Sequence, residues 1–381
     1  MPTVPQSAPE PGRPPRGSRR GRLRGSVLVI VLVTLLFTAF ALVLLVEQAS
    51  TDLLVEARDL AARRLRREAY SALEATLATL EDFRLVVGNL HSPAEGWGDP
   101  LGFSGWRPRA GCTAEVELVD ESGKISLSHV DGATLVNLFK SWDLRQAEAE
   151  RLADALLGWM RPDYVPMGSR LPDYEQGLLP FLPPVRPLRS FTELAAIDYA
   201  REVFYDEEGR PNDRWRRFAA TFSLFDYPTL NLNAAPPEVL TALGLSDVSQ
   251  QQRFREYLTG TGVYAHAGPA WFSSTPQAAQ VLGTPALPPG TGTQVQALRI
   301  NVTVREGRTE FRLTAVVASA GGAKVVATTA LSPHLVAPKT ASPAPAAPAV
   351  APAAALNYPF TLLEIRENPV MSAPPPAAPS A

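Results

Sequence analysis

The chain is almost without cysteine. Cys112 stands alone among 381 residues, which excludes an intrachain disulfide framework and a thiolate zinc site. Histidine is nearly as scarce. His91, His129, His266 and His334 are scattered, with no pair at metal-ligand spacing. Charge of one sign is also lacking. A formal net charge of -2 gives no basic field that would mark nucleic acid as a bulk partner. Motifs that carry chemistry are missing as well. The GFSGW stretch around Ser104 falls short of a nucleophile elbow. GTPALPPGTGT lacks the lysine and hydroxyl residue of a phosphate loop. Cys112 with His129 is the one dyad to consider, and a lone cysteine is more often a small buried hydrophobe. The acidic pairs Asp120/Glu121 and Glu207/Glu208 fall in turn sequences and are expected to be solvated. No enzymatic activity is expected.

What the sequence does have is one long apolar run. It follows a leader, residues 1–25, rich in Pro, Gly, Ser and Arg and expected to be disordered. Arg13, Arg16, Arg19, Arg20, Arg22 and Arg24 stand there against a single Glu10. Val27 to Val46 then carry no charge. Roughly 20 residues at about 1.5 Å each span a hydrocarbon core of about 30 Å. The arginines are expected to stay cytoplasmic and send the rest of the chain outward, giving a single-pass inner-membrane protein with its bulk in the periplasm. The run is longer than the apolar region of about 7–15 residues in a cleaved secretory signal. Past it, apolar residues recur at 53, 57, 60, 61, 65, 69, 72, 73, 77, 80, 83 and 87, which is helical spacing. One helix from about Val27 to Val87 is expected, lipid-embedded first and amphipathic second.

Further along, CTAEVELVDESGKISLSHV (112–130) predicts strand, turn, strand. SWDLRQAEAERLADALLGWMRPD predicts a helix with Asp143 as N-cap and Gln146 reaching back, ended by Pro162. TLNLNAAPPEVLTALGLSD (229–247) predicts a helix from Pro236, capped by Asn233 and closed at Gly244. The same words resemble a helix-hairpin-helix, a module often found on DNA. A membrane-tethered DNA-binding protein of competence type is therefore the alternative reading. Against it, Ser246 and Asp247 stand where a phosphate-binding turn needs glycine and cations. ALRINVTVREGRTEFRLTAVVAS and KVVATTALS predict an antiparallel meander with turns at Glu306-Gly307 and Gly321-Gly322. The expected divisions are leader 1–25, transmembrane segment 26–47, helical stalk with first strands 48–130, inserted α-domain 131–285 and further strands 286–332. A Pro/Ala linker 333–356, a docking segment 357–369 and a tail 370–381 follow.

Three places carry a family resemblance. Gly25, preceded by basic residues and followed at once by the apolar run, resembles the processing site of type IV pilins and type II secretion pseudopilins. The resemblance implies cleavage between Gly25 and Ser26 by a prepilin peptidase, with methylation of the new N-terminus. Major pilins carry glutamate at the fifth mature residue, and here that position is Ile30. Its absence resembles the minor pseudopilin of the K type (general secretion pathway protein K family). Asp120, Glu121, Gly123 and Lys124 match that family's strand-ending turn, although the asparagine-rich strand that follows it there is missing. Leu230, Asn231, Asn233 and Ala234 match its leucine–asparagine signature, and Glu193-Leu194 a further step. What the resemblance implies is an α+β, pilin-like fold: a long N-terminal helix on an antiparallel sheet, with a large, mostly helical domain inserted between strands. It implies a tip subunit that caps and primes a pseudopilus for protein export. The implied partners are other minor pseudopilins, the prepilin peptidase and the inner-membrane secretion platform. Calcium is a ligand the resemblance allows, and no other cofactor is expected. Trp159 and Asp163 are kept from the family's helix end, but most of its acidic residues are not.

Overall fold

The computed structural model describes residues 23–168, 171–176, 181–326 and 359–369, with side chains from Val27 onward. Most of the leader, the Pro/Ala linker 333–356, the end of the KVVATTALS segment and the tail 370–381 lie outside the described residues. Helix α1 runs Leu23–Val87. The chain divides into two units, residues 1–63 and 64–381.

In the first unit, α1 leaves its apolar side chains bare. Leu28, Leu36 and Phe37 are each more than 70% exposed. Among the described residues this is the one helix long and apolar enough to cross a membrane. Such surface is unfavourable in water by about 25 cal/mol per Å², and hydrocarbon removes that cost. The two polar side chains within the run are satisfied locally. Thr34 and Thr38 donate to the carbonyls of Val31 and Leu35, both at 2.9 Å. No hydroxyl is left without a partner in lipid.

In the second unit, α1 lays Leu65, Ala69, Ala72, Leu73 and Leu80 onto a four-stranded sheet. These residues recur at intervals of three, four and seven, so they form one stripe, and the alanines allow close approach. The strands are β1 (Cys112–Asp120), β2 (Leu298–Glu306), β3 (Thr309–Ser319) and β4 (Phe360–Glu367). Their order is β1-β2-β3-β4, antiparallel throughout. Leu298, Ile300, Val302 and Val304 face the helix at the two-residue period of a strand. The later half of β3 is buried on both faces, because Phe225, Tyr227, Ala297 and Ala323 pack with Val316 and Ala318. The docking segment thus lies in the sheet itself, as edge strand β4.

Everything between Asp120 and Leu298 is insertion. Its longer helices are α2 (Gly132–Ser141), α3 (Gln146–Met160), α4 (Asp213–Thr221), α5 (Pro237–Ala242), α6 (Val248–Thr259) and α7 (Thr275–Leu282). They share a core rich in aromatics, including Phe139, Trp142, Phe204, Phe218, Phe222 and Phe272.

Several local expectations are corrected. Residues 112–130 are not a hairpin. β1 pairs with β2, and Ile125–Ser126 runs parallel to Phe222–Ser223 within the insertion. The turn between them is a 3-10 turn, Glu121–Gly123, which diverts the chain out of the sheet. Asp143 does not cap α3. It sits at φ 63, and Glu148 accepts from the Arg145 amide at 2.9 Å instead. Lys324–Val325 pairs with Phe225–Asp226 rather than extending the meander. The place beside β3 is taken by β4.

Candidate functional site

The two motifs that carry the resemblance meet in space. The turn Asp120–Lys124, at the end of β1, lies against Leu230–Ala234 from the insertion. The backbones approach closely at Gly123, where an added Cβ would stand 2.4 Å from the Ala234 carbonyl oxygen. Only a residue without a side chain lets the two backbones touch there.

Polar bonds hold the rest. Asn231 is fully buried. Its amide nitrogen donates to the His91 carbonyl at 2.9 Å and to Asp120 Oδ2 at 2.6 Å. Its oxygen accepts from the Asn233 amide at 3.1 Å. Asn233 does not cap α5; Pro236 occupies that position. Its side chain donates to the carbonyls of Phe272 and Thr293 at 3.0 and 2.9 Å and accepts from the Phe272 amide at 2.7 Å. Two asparagines thereby join the strand end, the loop after α1, the approach to α7 and the approach to β2. An amide side chain suits this because it donates and accepts in one plane. Leu230 and Leu232, beside them, are buried in the insertion's core.

Asp120 and Glu121 were expected in solvent, and that expectation is overturned. The insertion folds over the turn, and Glu121 is only 2% exposed. Burial opposes its charge, but Lys124 at 3.2 Å and Arg299 at 2.5 Å outweigh it. The carboxyl titrates below the ordinary range. Asp120 has no cation. Burial pushes its carboxyl up to about 7, against hydrogen bonds from Ser122 and Asn231. Ser122 also accepts from the Gln296 amide through Oγ, at 2.9 Å. The Tyr227 hydroxyl lies 2.8 Å from the carbonyls of Glu121 and Lys124. Arg299, Tyr227, His91 and Thr293 carry no motif of their own. The one sequence signal among them is Arg299, a cation in an otherwise apolar strand start.

This arrangement joins parts of a fold, and the hydroxyl that meets a carboxylate in it, Ser122 on Asp120 at 2.5 Å, is buried in the joint. His129 faces Asp226 at 2.7 Å, whereas Cys112 packs with the sheet core. Ser104 donates to the Leu101 carbonyl. Glu207 and Glu208 are exposed in a turn. The helix-hairpin-helix reading meets two obstacles. Asp247 caps α6 with its carboxylate, accepting from the Ser249 amide at 2.7 Å, so the helix end that would receive a phosphate holds an anion. Arg253 is committed to the carbonyls of Val281 and Leu282.

Calcium takes six to eight oxygens, several of them carboxylates, so the acidic side chains of the described residues bear on that expectation. Among the described residues no three acidic, histidine or cysteine side chains are grouped as they would be around a metal. Asp154, the buried carboxylate of α3, accepts from Tyr164 Oη and from the Met167 and Gly168 amides at 2.8, 2.9 and 3.2 Å. Asp163 is exposed at φ 53. Trp159 is buried edge-on against Tyr174 and Phe181. Glu193 pairs with Arg186 at 3.1 Å, and Leu194 is buried.

Residues 117–207 match the family model for type II secretion system protein K. The K-type resemblance therefore holds over the stretch that contains the Asp120–Lys124 turn, Trp159 and Glu193-Leu194. The Leu230–Ala234 motif lies beyond it. A chain in the crystal structure of the GspK-GspI-GspJ complex from the enterotoxigenic Escherichia coli type 2 secretion system is 13% identical. The match covers 69% of this chain and 95% of that one at a TM-score of 0.47. No curated protein matches.

Proposed function

We propose that this chain is the K-type minor pseudopilin of a bacterial type II secretion system, acting by assembly at the tip of a short pseudopilus. The observation that carries this reading is the K-type segment 117–207 on a chain whose α1 begins as a bare apolar span. A prepilin peptidase removes the leader after Gly25 on the cytoplasmic side, and Ser26 becomes the methylated N-terminus. The span then serves as both signal and anchor in the inner membrane, with the bulk periplasmic. Side by side with the helices of other minor pseudopilins, it is drawn from the bilayer by the secretion platform.

Ile30 places no carboxylate in lipid, where one is costly unless paired. The subunit therefore needs no neighbour's N-terminus beneath it. The insertion, 121–297, is the part that obstructs a further subunit. Capping and priming follow from one subunit that binds below and blocks above. The junction of Asp120–Lys124 with Leu230–Ala234 contributes by holding that bulk rigidly to the sheet.

The test is immunogold labelling of overproduced pseudopili with an epitope in the exposed turn at Glu207-Glu208. Label confined to filament ends is expected. Label spread along the length would overturn the capping role.

A further inference from the structure

An open cavity of about 450 Å³ lies where the last turns of α1, the loop after it and residues 269–273 of the insertion come together. Phe83, Val86, Val87, Phe103 and Trp271 give it an apolar lining. Val86 is 86% exposed, and Val87 and Phe103 are more than half exposed. Phe83 and Phe103 already pack on each other, centroids 4.9 Å apart. A contiguous exposed apolar patch of this kind marks an interaction surface.

The polar groups at the cavity indicate what it takes. Glu95 spends Oε2 on the His91 amide at 3.0 Å and on Trp97 Nε1 at 2.8 Å. Its Oε1 is buried with no hydrogen-bond partner. His91 Nδ1 lies 2.8 Å from the Thr293 carbonyl. A carbonyl only accepts, so Nδ1 donates. Asp82 is exposed. No lysine or arginine lines the cavity. A buried carboxylate oxygen without a donor is unfavourable, and a cationic N–H is the donor that relieves it best.

We propose that this cavity docks a protein partner through an aliphatic or aromatic side chain flanked by an arginine or lysine. The apolar group packs on Val86, Phe103 and Trp271, and the cation donates to Glu95 Oε1 and faces Asp82. The inference goes beyond the tip reading and does not depend on it.

The test titrates full-length protein in nanodiscs with three labelled short peptides, read by fluorescence anisotropy. One carries a Leu-Arg pair, one replaces its Leu with Ser, and one replaces its Arg with Glu. The Leu-Arg peptide is expected to bind and saturate. Each replacement, and Glu95→Gln in the protein, is expected to weaken binding about tenfold, the worth of one good contact. Val86→Asp, on an exposed position that leaves the fold intact, is expected to abolish it. Equal affinity for all three peptides, no saturation by the Leu-Arg peptide, or indifference to both variants would overturn the proposal. Concentration-dependent self-association that Val86→Asp removes would give the cavity to a second copy, and would overturn it too. Filament labelling reads none of these residues, so either idea can fail alone.

Discussion

One helix, α1, lives in two environments, and the two stretches differ in composition alone. From Val27 to Val46 it is apolar on every side and exposed on every side. From Leu65 to Leu80 it is apolar along one stripe, and that stripe is buried on the sheet. The same backbone period serves both. A residue that is apolar all round asks for an apolar solvent, whereas one that is apolar on a stripe asks for an apolar partner. The first stretch thus has its stability set by the bilayer, and the second by packing.

The comparison can be broken most severely by substitution. Leu80→Ala empties a fully buried position and is expected to cost about 2–5 kcal/mol, read as a lowered denaturant midpoint. Leu36→Ala, at an exposed position, is expected to leave that midpoint where it was. The reverse asymmetry holds for charge. Leu36→Arg is expected to cost about 2.5–3.5 kcal/mol of membrane insertion, read as release by alkaline extraction, with no effect on unfolding of the packed part.

A smaller effect comes from the junction that joins the packed unit to its insertion. Gly123→Ala pushes against the Ala234 backbone and is expected to destabilise by about 1–3 kcal/mol. Asn231→Ala leaves Asp120 Oδ2 and the His91 carbonyl without their donor. Its expected cost is about 1–3 kcal/mol.

A further effect separates the two stretches by pH. Val27 to Val46 contain no titratable group, so insertion of the span is expected to be independent of pH. The packed unit differs. Asp120 titrates at about 7 in the fold, above its ordinary value. Between about pH 4 and 7 the folded state therefore holds more protons than the unfolded one, and stability falls as pH rises. Glu121 acts oppositely. Its depressed value contributes stability above the ordinary glutamate range, and this is lost as pH falls through it. Urea midpoints across pH are expected to peak near the lower end of the Asp120 window. In Asp120→Asn the decline toward pH 7 is expected to flatten.

Much of this was legible in the residues. The uncharged run, the helical spacing to Val87 and the alternation of β2 are local patterns that name their own structure. The α+β layout, a long helix on an antiparallel sheet with a helical insertion, followed from them together with the motifs that carry the resemblance. The junction was not legible, because its partners are remote in sequence. Arg299 reaches Glu121 across 178 positions, and His91 meets Asn231 across 140. The turn at Asp120–Lys124 therefore read as solvated, with nothing local to say that the insertion covers it. Asn233 read as a cap because caps are local, while its actual bonds go to Phe272 and Thr293. Ile125–Ser126 alternated like a strand, but its partner, Phe222–Ser223, lies far along the insertion.

The central claim is that the apolar span is a processed and retained anchor. Mass spectrometry of the N-terminal peptide of the protein taken from membranes tests it most directly. The account predicts a chain that starts at Ser26 and carries an N-methyl group. A chain that starts at Met1 or Pro2 would contradict it, leaving the span a plain anchor and the tip assembly without its mechanism.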